Sequence, residues 1–396
     1  MSRRPPSPEP TPDIRRLAEE GYSVWLGQGR LVVGDVPYVD EARRVCRGTL
    51  VCQLELAGDI IVPPMHHQAH FAGGRPCDDR GRPLRAVTAG FRRDWGGGLV
   101  TQHMLCTLPP EGRFESYHDM VTTMVALLAG HAEALDPQAT ARLGRVLVSE
   151  ASASPFAYVD TASSRVGIGG LAARFERQSV GILGLGGTGG YVLDLVAKTP
   201  VARIHLVDHD EFRQHNSFRA PGAASLDDLR AQRRKVDHFD RIYSAMHRGI
   251  VPHPVRLGPH SLHLLAHMDF AFVCLDDPAA KPIILAELER LDVPYVDVGM
   301  GLQHTDAGLT GAVRLTASTP GMRAHVRERS RIPMTEPGGA DPYASNVQVA
   351  DLNALNAALA VIRWKKWAGF YADLEREHFS VYSIDGNHLL NEDFAR

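Results

Sequence analysis

Long apolar runs are missing from this sequence, since none approaches the roughly 20 residues that a membrane-spanning helix requires. The start of the chain, MSRRPPSPEPTPD, is too rich in proline to be a signal peptide. A strong charge of either sign is missing as well, because 43 Lys and Arg against 46 Asp and Glu give a formal net charge of -3. These absences argue against a membrane or nucleic-acid partner and predict a cytoplasmic protein.

Cysteine is also scarce. The chain has 5 cysteines, at positions Cys46, Cys52, Cys77, Cys106 and Cys274, and none of them forms a C-x-x-C pair. An odd number without such pairs predicts neither a disulfide framework nor a ribbon-type zinc site. We therefore expect reduced thiols.

The length of 396 residues favours two domains. We expect a disordered tail over residues 1–12 and a smaller α+β domain over residues 13–154. In that domain, residues 30–39 and 49–62 are typical of strands, residues 66–84 of a loop with turns, and residues 116–135 of a helix.

From residue 155 to residue 396 the pattern changes to strands that alternate with helices, which predicts a Rossmann-like, doubly wound, mainly parallel α/β sheet. One long helical stretch is expected around residues 230–246. A polar loop over about residues 320–346 interrupts the alternation and is expected to be functional or mobile. A helix over residues 347–367 with apolar spacing and a final strand pair complete the domain.

The stretch GILGLGGTGGYVLDLVAKTP places five glycines among the seven residues that separate an apolar run from an amphipathic one. Glycine inside an element costs roughly 0.5–1 kcal/mol, so a cluster needs a reason. The usual reason is a phosphate, which the main chain approaches closely and which binds the N–H groups at the start of the following helix.

The next segment indicates which nucleotide is bound. Strand RIHLVD ends in Asp208, where an acid binds ribose hydroxyls, and is followed by Asp210, Asn216 and Arg219. A nicotinamide enzyme has no need of that second acid, asparagine and arginine. An enzyme that uses a triphosphate needs carboxylates for ribose and magnesium and fixed cations for the departing pyrophosphate.

These motifs, together with Lys235 and the CLDD segment around Asp276, resemble in order and spacing the MoeB/ThiF family, the ubiquitin-activating-enzyme-like adenylyltransferases. The resemblance extends from about Asp160 to the C-terminus. It implies an ATP-dependent adenylyltransferase that uses Mg²⁺ and activates the C-terminal glycine of a ubiquitin-like β-grasp protein as an acyl-adenylate. It also implies a homodimer.

The resemblance assigns roles to individual residues. The phosphates would be bound by Gly184, Gly186, Gly187 and Gly189, the ribose by Asp208, and the ribose or magnesium by Asp210. The phosphate oxygens would be bound by Asn216 and Arg219, the pyrophosphate charge by Lys235, and magnesium or catalysis would depend on Asp276. Arg165 would reach across the dimer interface to the partner subunit's ATP.

Several of these residues also have plainer interpretations. Asp208 could cap a turn, Asp210 could be an exposed loop acid, and Lys235 could lie on a solvated helix face beside Arg233 and Arg234. Asp277 is the neighbour that could be confused with Asp276.

Two family features are absent: a C-x-x-C zinc site and any cysteine after Cys274. We expect Cys274 itself to be a small, buried hydrophobic residue. The positional substitute for a thioester cysteine is Thr335, either as an oxyester-forming hydroxyl or as a turn residue.

In the first domain, His66, His67, His70 and Cys77 share one segment, and Cys106 lies farther along. They indicate a Cys77 nucleophile, a metal site, or local hydrogen bonding. The domain is interpreted as conjugating-enzyme-like, or as a docking domain for the ubiquitin-like protein, and a conjugating enzyme or target acceptor is a further expected partner. Two other functions stay open: an NAD- or FAD-dependent oxidoreductase that uses the same glycine turn, and a non-catalytic nucleotide-binding scaffold.

Overall fold

The computed structural model describes residues 8–109, 112–144, 147–149, 154–334 and 348–395. By packing, the chain divides into two compact units, Met1–Ala173 and Arg174–Arg396. The sequence places the boundary after residue 154, so residues 155–173 pack with the first unit. Residues 1–7 of the expected tail lie outside the described residues, and Pro12 already begins a helix. Among the described residues, no helix combines the length and apolar character that crossing a membrane demands.

The first unit consists of a seven-stranded sheet, a two-stranded sheet and helices. Its elements are α1 (Pro12–Glu19), β1 (Ser23–Gly27), β2 (Arg30–Val39), β3 (Val45–Gln53), β4 (Glu55–Ala57), β5 (Ile60–Val62), β6 (Gln68–Ala72), β7 (Val87–Asp94), β8 (Val100–Cys106), α2 (Tyr117–Glu133), β9 (Val148–Ser149), α3 (Thr161–Val166) and α4 (Gly169–Ala172). The larger sheet has the order β7-β8-β6-β3-β2-β1-β9. Its pairs are antiparallel except β1 with β9.

Helix α2 supplies much of the core of this unit, as its predicted position suggests. The side chain of Ser116 accepts a hydrogen bond from the Asp119 N–H and so caps the helix. The prediction of a loop over residues 66–84 is wrong in part, because β6 lies within it. Ala69 and Phe71 of β6 are buried in the core cluster. Gln68 and His70 alternate with these two apolar residues, so the two-residue period of a strand is present in the sequence, but the glycines and prolines that follow it favour a loop.

The second unit is built on an eight-stranded sheet. Its elements are β10 (Ser179–Leu183), α5 (Gly187–Val196), β11 (Arg203–Val207), α6 (Gln214–Ser217), α7 (Leu226–Arg230), α8 (Lys235–Tyr243), β12 (Ile250–His253), β13 (Phe270–Val273), α9 (Lys281–Arg290), β14 (Tyr295–Thr305), β15 (Gly308–Ser318), α10 (Ala324–Glu328), α11 (Ala350–Trp367), β16 (Glu377–Ser383) and β17 (His388–Phe394). The strand order is β12-β11-β10-β13-β14-β15-β16-β17.

The strands from β12 to β14 are parallel and the last three strands are antiparallel, so the predicted Rossmann-like α/β class and the final strand pair are confirmed. In register, Leu183 at the end of β10 pairs with Val207 of β11 and with Val273 of β13. The segments that follow these three strands therefore leave the sheet at one carboxyl edge, which is where open α/β sheets bind ligands.

The prediction of one continuous helix over residues 230–246 is wrong. It is two helices, α7 and α8, separated by residues 231–234. Within that break Gln232 has a φ of 43° and Arg234 is extended, with ψ 147°. A left-handed residue interrupts the α-helical hydrogen bonds, so Lys235 becomes the first residue of a new helix.

Part of the polar segment over residues 320–346 forms α10, while residues 335–347 lie outside the described residues. Thr335 falls in that range, so its assignment stays a prediction. Helix α11 packs into the core as expected, with Ala357, Ala360 and Trp364 buried.

Candidate functional site

Two glycines of the turn between β10 and α5 are required by close packing of the backbone. Gly184 has a φ of 93°, and a Cβ there would lie 2.7 Å from the Cys274 carbonyl oxygen. A Cβ on Gly189 would lie 2.0 Å from the Gly184 carbonyl oxygen. A side chain at either position would push the turn away from β13, so these glycines hold the turn against the sheet.

The other two glycines differ from each other. A Cβ on Gly187 would meet Asn353 Nδ2 at 2.1 Å, so this glycine makes room for a side chain of α11. At Gly186, which precedes α5, a Cβ would meet no described atom within 4 Å. The open side of the turn is therefore at Gly186, where an anion can approach the unsatisfied N–H groups of the first turn of α5.

Asp208, directly after β11, joins the glycine turn to the neighbouring loop. Its side chain accepts the Leu185 N–H at 2.7 Å and the Asp210 N–H at 2.8 Å. Asp208 as a whole is only 8% exposed. Asp208 therefore does cap a turn, as its plainer interpretation holds, and a contact with ribose stays a prediction.

Lys235 is buried, with 7% exposure, and does not lie on a solvated helix face. Its Nζ lies 2.6 Å from Asp210 Oδ2 and 3.5 Å from Asp208 Oδ2. Burial alone would raise the pKa of Asp210, but the Lys235 hydrogen bond and charge outweigh it and lower that pKa. This geometry distinguishes Lys235 from Arg233, which pairs with Asp228 at 3.5 Å.

Among the described residues, ligand atoms of Asp208, His209 and Asp210 lie within 4.8 Å of one another and could hold a metal ion. Lys235 already pairs with two of these carboxylates. The predicted magnesium ligand, Asp276, is not part of this group.

Asn216 and Arg219 lie on and just after α6. The Asn216 side chain is buried and accepts the Arg213 N–H at 2.8 Å, so it holds the start of α6 in place. Burial, together with the positive charges of Arg219, Lys235 and Arg213, lowers the pKa of His215. Arg219 and Lys235 therefore act on one small region. The Nε of Arg219 is buried without a hydrogen-bond partner among the described residues.

The sequence did not reveal Asn353 of α11. This residue is 1% exposed. Its Oδ1 accepts the Thr188 hydroxyl at 2.8 Å, and its Nδ2 donates to the Arg219 carbonyl oxygen at 3.3 Å. The only available signal was an asparagine pair, Asn353 and Asn356, within an otherwise apolar helix. Asn353 thus connects the glycine turn to the segment of Arg219.

The two acids after β13 have different environments. Asp277 accepts the N–H groups of Ala279 and Ala280 at 3.1 Å and pairs with Arg256 at 2.7 Å. The hydrogen bond from Arg256 lowers the pKa of Asp277. Asp276 is exposed, and Gln348 Nε2 donates to it at 3.3 Å. The position of Asp277 is thus explained by structure, which favours Asp276 as the functional acid.

A buried ion cluster next to this edge was also missed. Asp297 of β14 is fully buried, with its carboxylate 2.8 Å from Lys281 Nζ and 2.5 Å from Arg314. Its signal in the sequence was one acid inside the apolar strand PYVDVGM. Burial chiefly, with a contribution from the Asp297 charge, raises the pKa of Cys274. This supports Cys274 as an inert, small core residue.

A pocket of about 720 Å³ lies beside the same carboxyl edge. Its lining joins the segment after β12 to the start of α9 and is mainly apolar, with Pro252, Val255, Leu257 and Ile283. The Arg256–Asp277 ion pair forms part of the wall. The glycine turn and Asp208 are not among the lining residues.

The remaining predicted residues lie in the first unit. Arg165 pairs with Glu55 at 2.7 Å. Cys77 is 1% exposed, and burial raises its pKa, which disfavours a reactive thiolate in this conformation. Among the described residues, the metal-capable group is the one at Asp208, so His66 and His70 do not converge with a third ligand.

Comparisons with known proteins bear on both units. Residues 162–351 match the ThiF family, and residues 12–161 match a domain of unknown function, DUF6791. A search of curated proteins finds no match to this chain.

Solved structures of similar fold include E. coli MccB, at 18% identity over 60% of this chain and 70% of that chain, with a TM-score of 0.45. E. coli MccB with ATP is similar at 19% identity over 58% and 68%, with a TM-score of 0.43. PaaA is similar at 15% identity over 56% and 75%, with a TM-score of 0.43.

The family resemblance expected from the glycine turn, Asp208, Lys235 and Asp276 is therefore confirmed. The chain carries a ThiF family domain over residues 162–351, preceded by a DUF6791 domain over residues 12–161.

Proposed function

We propose that the protein is an ATP-dependent adenylyltransferase that activates the C-terminal carboxylate of a ubiquitin-like β-grasp protein. The acyl donor is then conjugated to a target in a bacterial ubiquitin-like pathway in the cytoplasm. The observation that supports this best is the buried Lys235, which two carboxylates hold at the carboxyl edge beside the glycine turn. A triphosphate that loses pyrophosphate benefits from such a fixed cation, because negative charge grows on the leaving group.

In the reaction, a carboxylate oxygen of the donor attacks the α-phosphorus of ATP. The bond from the α-phosphorus to the bridging oxygen breaks, and pyrophosphate leaves with that oxygen. Negative charge grows on the leaving group, and the positive charges of Lys235 and Arg219 stabilise it. The acyl-adenylate retains AMP until an acceptor attacks its carbonyl carbon.

Lys235 is positioned for this role before any nucleotide binds. Asp210 and Asp208 fix its ammonium, so little reorganisation is needed when a triphosphate competes for it. The open side of the turn at Gly186 receives phosphate oxygens, and the buried Nε of Arg219 is an unsatisfied donor for another.

The adenine base occupies the pocket of about 720 Å³ beside the same edge, where apolar side chains offer faces for an aromatic ring. The ribose then lies toward Asp208 and Asp210, between the base and the glycine turn. This arrangement uses the carboxyl ends of β10, β11 and β12 together.

Asp276 suits Mg²⁺, because its carboxylate is exposed and hard oxygen ligands are preferred by this ion. The carboxylates of Asp208 and Asp210 suit it less well, since Lys235 already pairs with both. When bound, Mg²⁺ neutralises charge on the phosphates.

The active form is a homodimer in which Arg165 of one subunit reaches the ATP of the other. Arg165 now pairs with Glu55; the Arg165 side chain is 57% exposed but the Glu55 side chain only 11%, so moving Arg165 to a phosphate leaves a largely buried carboxylate without its arginine and carries a cost. Thr335 as an oxyester and Cys77 as a thioester stay the two candidates for a covalent intermediate. Cys77 requires an opening of its surroundings, since it is buried.

The test is ATP–pyrophosphate exchange with Mg²⁺ and candidate β-grasp proteins. We expect exchange that depends on the donor and is lost in Asp276→Asn. The matched control is Asp306→Asn, because Asp306 is an exposed acid in the turn between β14 and β15. Exchange that survives Asp276→Asn unchanged contradicts the assigned role.

A second measurement addresses the transfer step. Mass spectrometry after incubation with ATP and the donor detects a covalent adduct, and hydroxylamine distinguishes a labile thioester from an oxyester. Binding of ATP without exchange under any donor would instead indicate the non-catalytic scaffold.

A further inference from the structure

Three charged side chains meet below the carboxyl edge of the second sheet. Asp297 of β14 is fully buried and lies beside Val273, the last residue of β13. Its carboxylate is 2.8 Å from Lys281 Nζ and 2.5 Å from Arg314 Nη2. Buried ion pairs contribute little net stability compared with apolar residues of the same volume, so stability alone does not explain three charges at this place.

The two cations of this cluster belong to different parts of the fold. Arg314 also donates from Nη1 to the Arg331 carbonyl oxygen at 2.9 Å. Gly299, opposite Arg314 in register, leaves space for the guanidinium, because a Cβ there would lie 2.7 Å from Nη2. Lys281 is instead the first residue of α9 and is only 7% exposed. The Lys281 side chain therefore joins the start of a helix to Asp297 in the sheet.

The turn that leads into Lys281 follows Asp276 directly. The Lys281 N–H donates to the Asp277 carbonyl oxygen at 3.0 Å. The Asp277 carboxylate accepts the N–H groups of Ala279 and Ala280 at 3.1 Å. These contacts make the turn one hydrogen-bonded piece, so its position depends on what holds its last residue.

Asp276 is thus held from two sides. Before it, the Cys274 N–H donates to the Leu183 carbonyl oxygen at 2.8 Å, which attaches the end of β13 to β10 within two residues of Asp276. After it, the turn ends at Lys281, which Asp297 fixes. If Lys281 lost Asp297, the sheet would still hold Cys274, but the turn could shift together with the start of α9.

We propose that Lys281 is a positioning residue, whose ion pair with Asp297 fixes the turn that carries Asp276. Arg314 continues to neutralise Asp297 when Lys281 is replaced, so the fold can lose this lysine without leaving a buried carboxylate unpaired. The role of Asp276 toward Mg²⁺ rests on the proposed function, whereas the anchoring of the turn is a property of this chain with or without a nucleotide.

The test variant is Lys281→Met, which keeps an unbranched side chain and removes the charge. The matched control is Lys366→Met. Lys366 Nζ lies 2.7 Å from Glu377, a buried residue whose carboxylate also has Arg363 at 3.6 Å. Each variant therefore removes one lysine from a buried carboxylate that retains an arginine. The control pair joins the end of α11 to the start of β16.

Hydrogen–deuterium exchange of the full-length protein without nucleotide tests the anchoring. We expect the amides of residues 279–284 to exchange about tenfold faster in Lys281→Met, as for the loss of one charged hydrogen bond, and Lys281→Arg to restore slow exchange. Lys366→Met should leave these amides unchanged. No acceleration in Lys281→Met, or equal acceleration in both methionine variants, would overturn the proposal.

ATP–pyrophosphate exchange at increasing Mg²⁺ concentrations tests what the anchor does for Asp276. We expect Lys281→Met to raise the Mg²⁺ concentration for half-maximal exchange and to lower kcat about tenfold or more, with Lys281→Arg close to the unmodified protein. A normal Mg²⁺ dependence beside faster deuterium exchange would mean that the anchor does not serve Asp276, which contradicts the proposal.

Failure of the proposed function would look different. The unmodified protein would then show no pyrophosphate exchange with any donor, while deuterium exchange would still decide whether Lys281 anchors the turn. If Lys281→Met fails to fold, Lys281→Gln, which keeps a polar group beside Asp297, replaces it in both measurements.

Discussion

Replacing Asn353 with alanine is expected to weaken nucleotide binding from a position that contacts no proposed ligand. The side chain joins the Thr188 hydroxyl at the glycine turn to the backbone of Arg219. Without it, the start of α5 and the arginine segment lose their shared anchor. We therefore expect the KM for ATP in pyrophosphate exchange to rise while the donor KM changes little.

The expected loss of stability follows from the same contacts. Two hydrogen bonds at about 1 kcal/mol each, lost from a side chain that is 1% exposed, predict a cost of roughly 2 kcal/mol. In a domain of this size, that corresponds to a fall in melting temperature of roughly 4–8 °C.

Asn356→Ala is the matched comparison, because Asn356 lies on the same helix, is also 1% exposed, and donates to the Gly299 carbonyl oxygen at 3.0 Å. Both variants should have a lower melting temperature by calorimetry, but only Asn353→Ala should change the KM for ATP. If both variants raise that KM equally, the effect is a general loss of stability and the anchoring role is wrong.

Three further outcomes are expected. Lys235→Met should reduce exchange by about 10²-fold or more, as for loss of a transition-state charge contact, whereas Lys198→Met, at an exposed i,i+4 pair, should leave it unchanged. Burial lowers the pKa of His247 from 6.5 to about 4. The unfolded chain therefore binds this proton at a higher pH than the folded protein does, and stability falls as the pH drops from 6.5 to 4. In His247→Gln, the melting temperature should depend less on pH across that range. Mixing inactive Arg165→Ala with inactive Asp276→Asn should restore exchange if the arginine acts in trans, and no recovery in a mixed dimer would assign it a role within its own subunit.

The sequence predicted the second unit well because its signals are local and repeated. A glycine turn after an apolar strand and a strand-helix alternation both follow from short-range geometry. The break at Gln232 could not be predicted in this way, since a left-handed glutamine has no distinctive composition and its neighbours favour helix. Strand β6 was missed because it is short and because the glycines and prolines that follow it dominate residues 66–84.

The site was predicted in part for a similar reason. Asp208 and Lys235 each belong to a motif of fixed spacing, and the structure brings them to 3.5 Å, while their roles toward a nucleotide stay predictions. Asn353 is separated from Thr188 by 165 residues in sequence, and no short-range pattern encodes that contact. The Asp297 cluster also joins three different elements. Such pairings depend on the order of strands in the finished sheet.

The interruption between α7 and α8 bears on attempts to engineer this protein. Substituting alanine for Gln232 would raise helix propensity while keeping a Cβ at φ 43°, so it would favour a continuous helix over the break. Here a continuous helix would turn Lys235 by a different angle about the axis and withdraw its ammonium from Asp210. Thermostability screens that reward helical content would therefore select, at this one position, against the Lys235–Asp210 contact on which the proposed function depends.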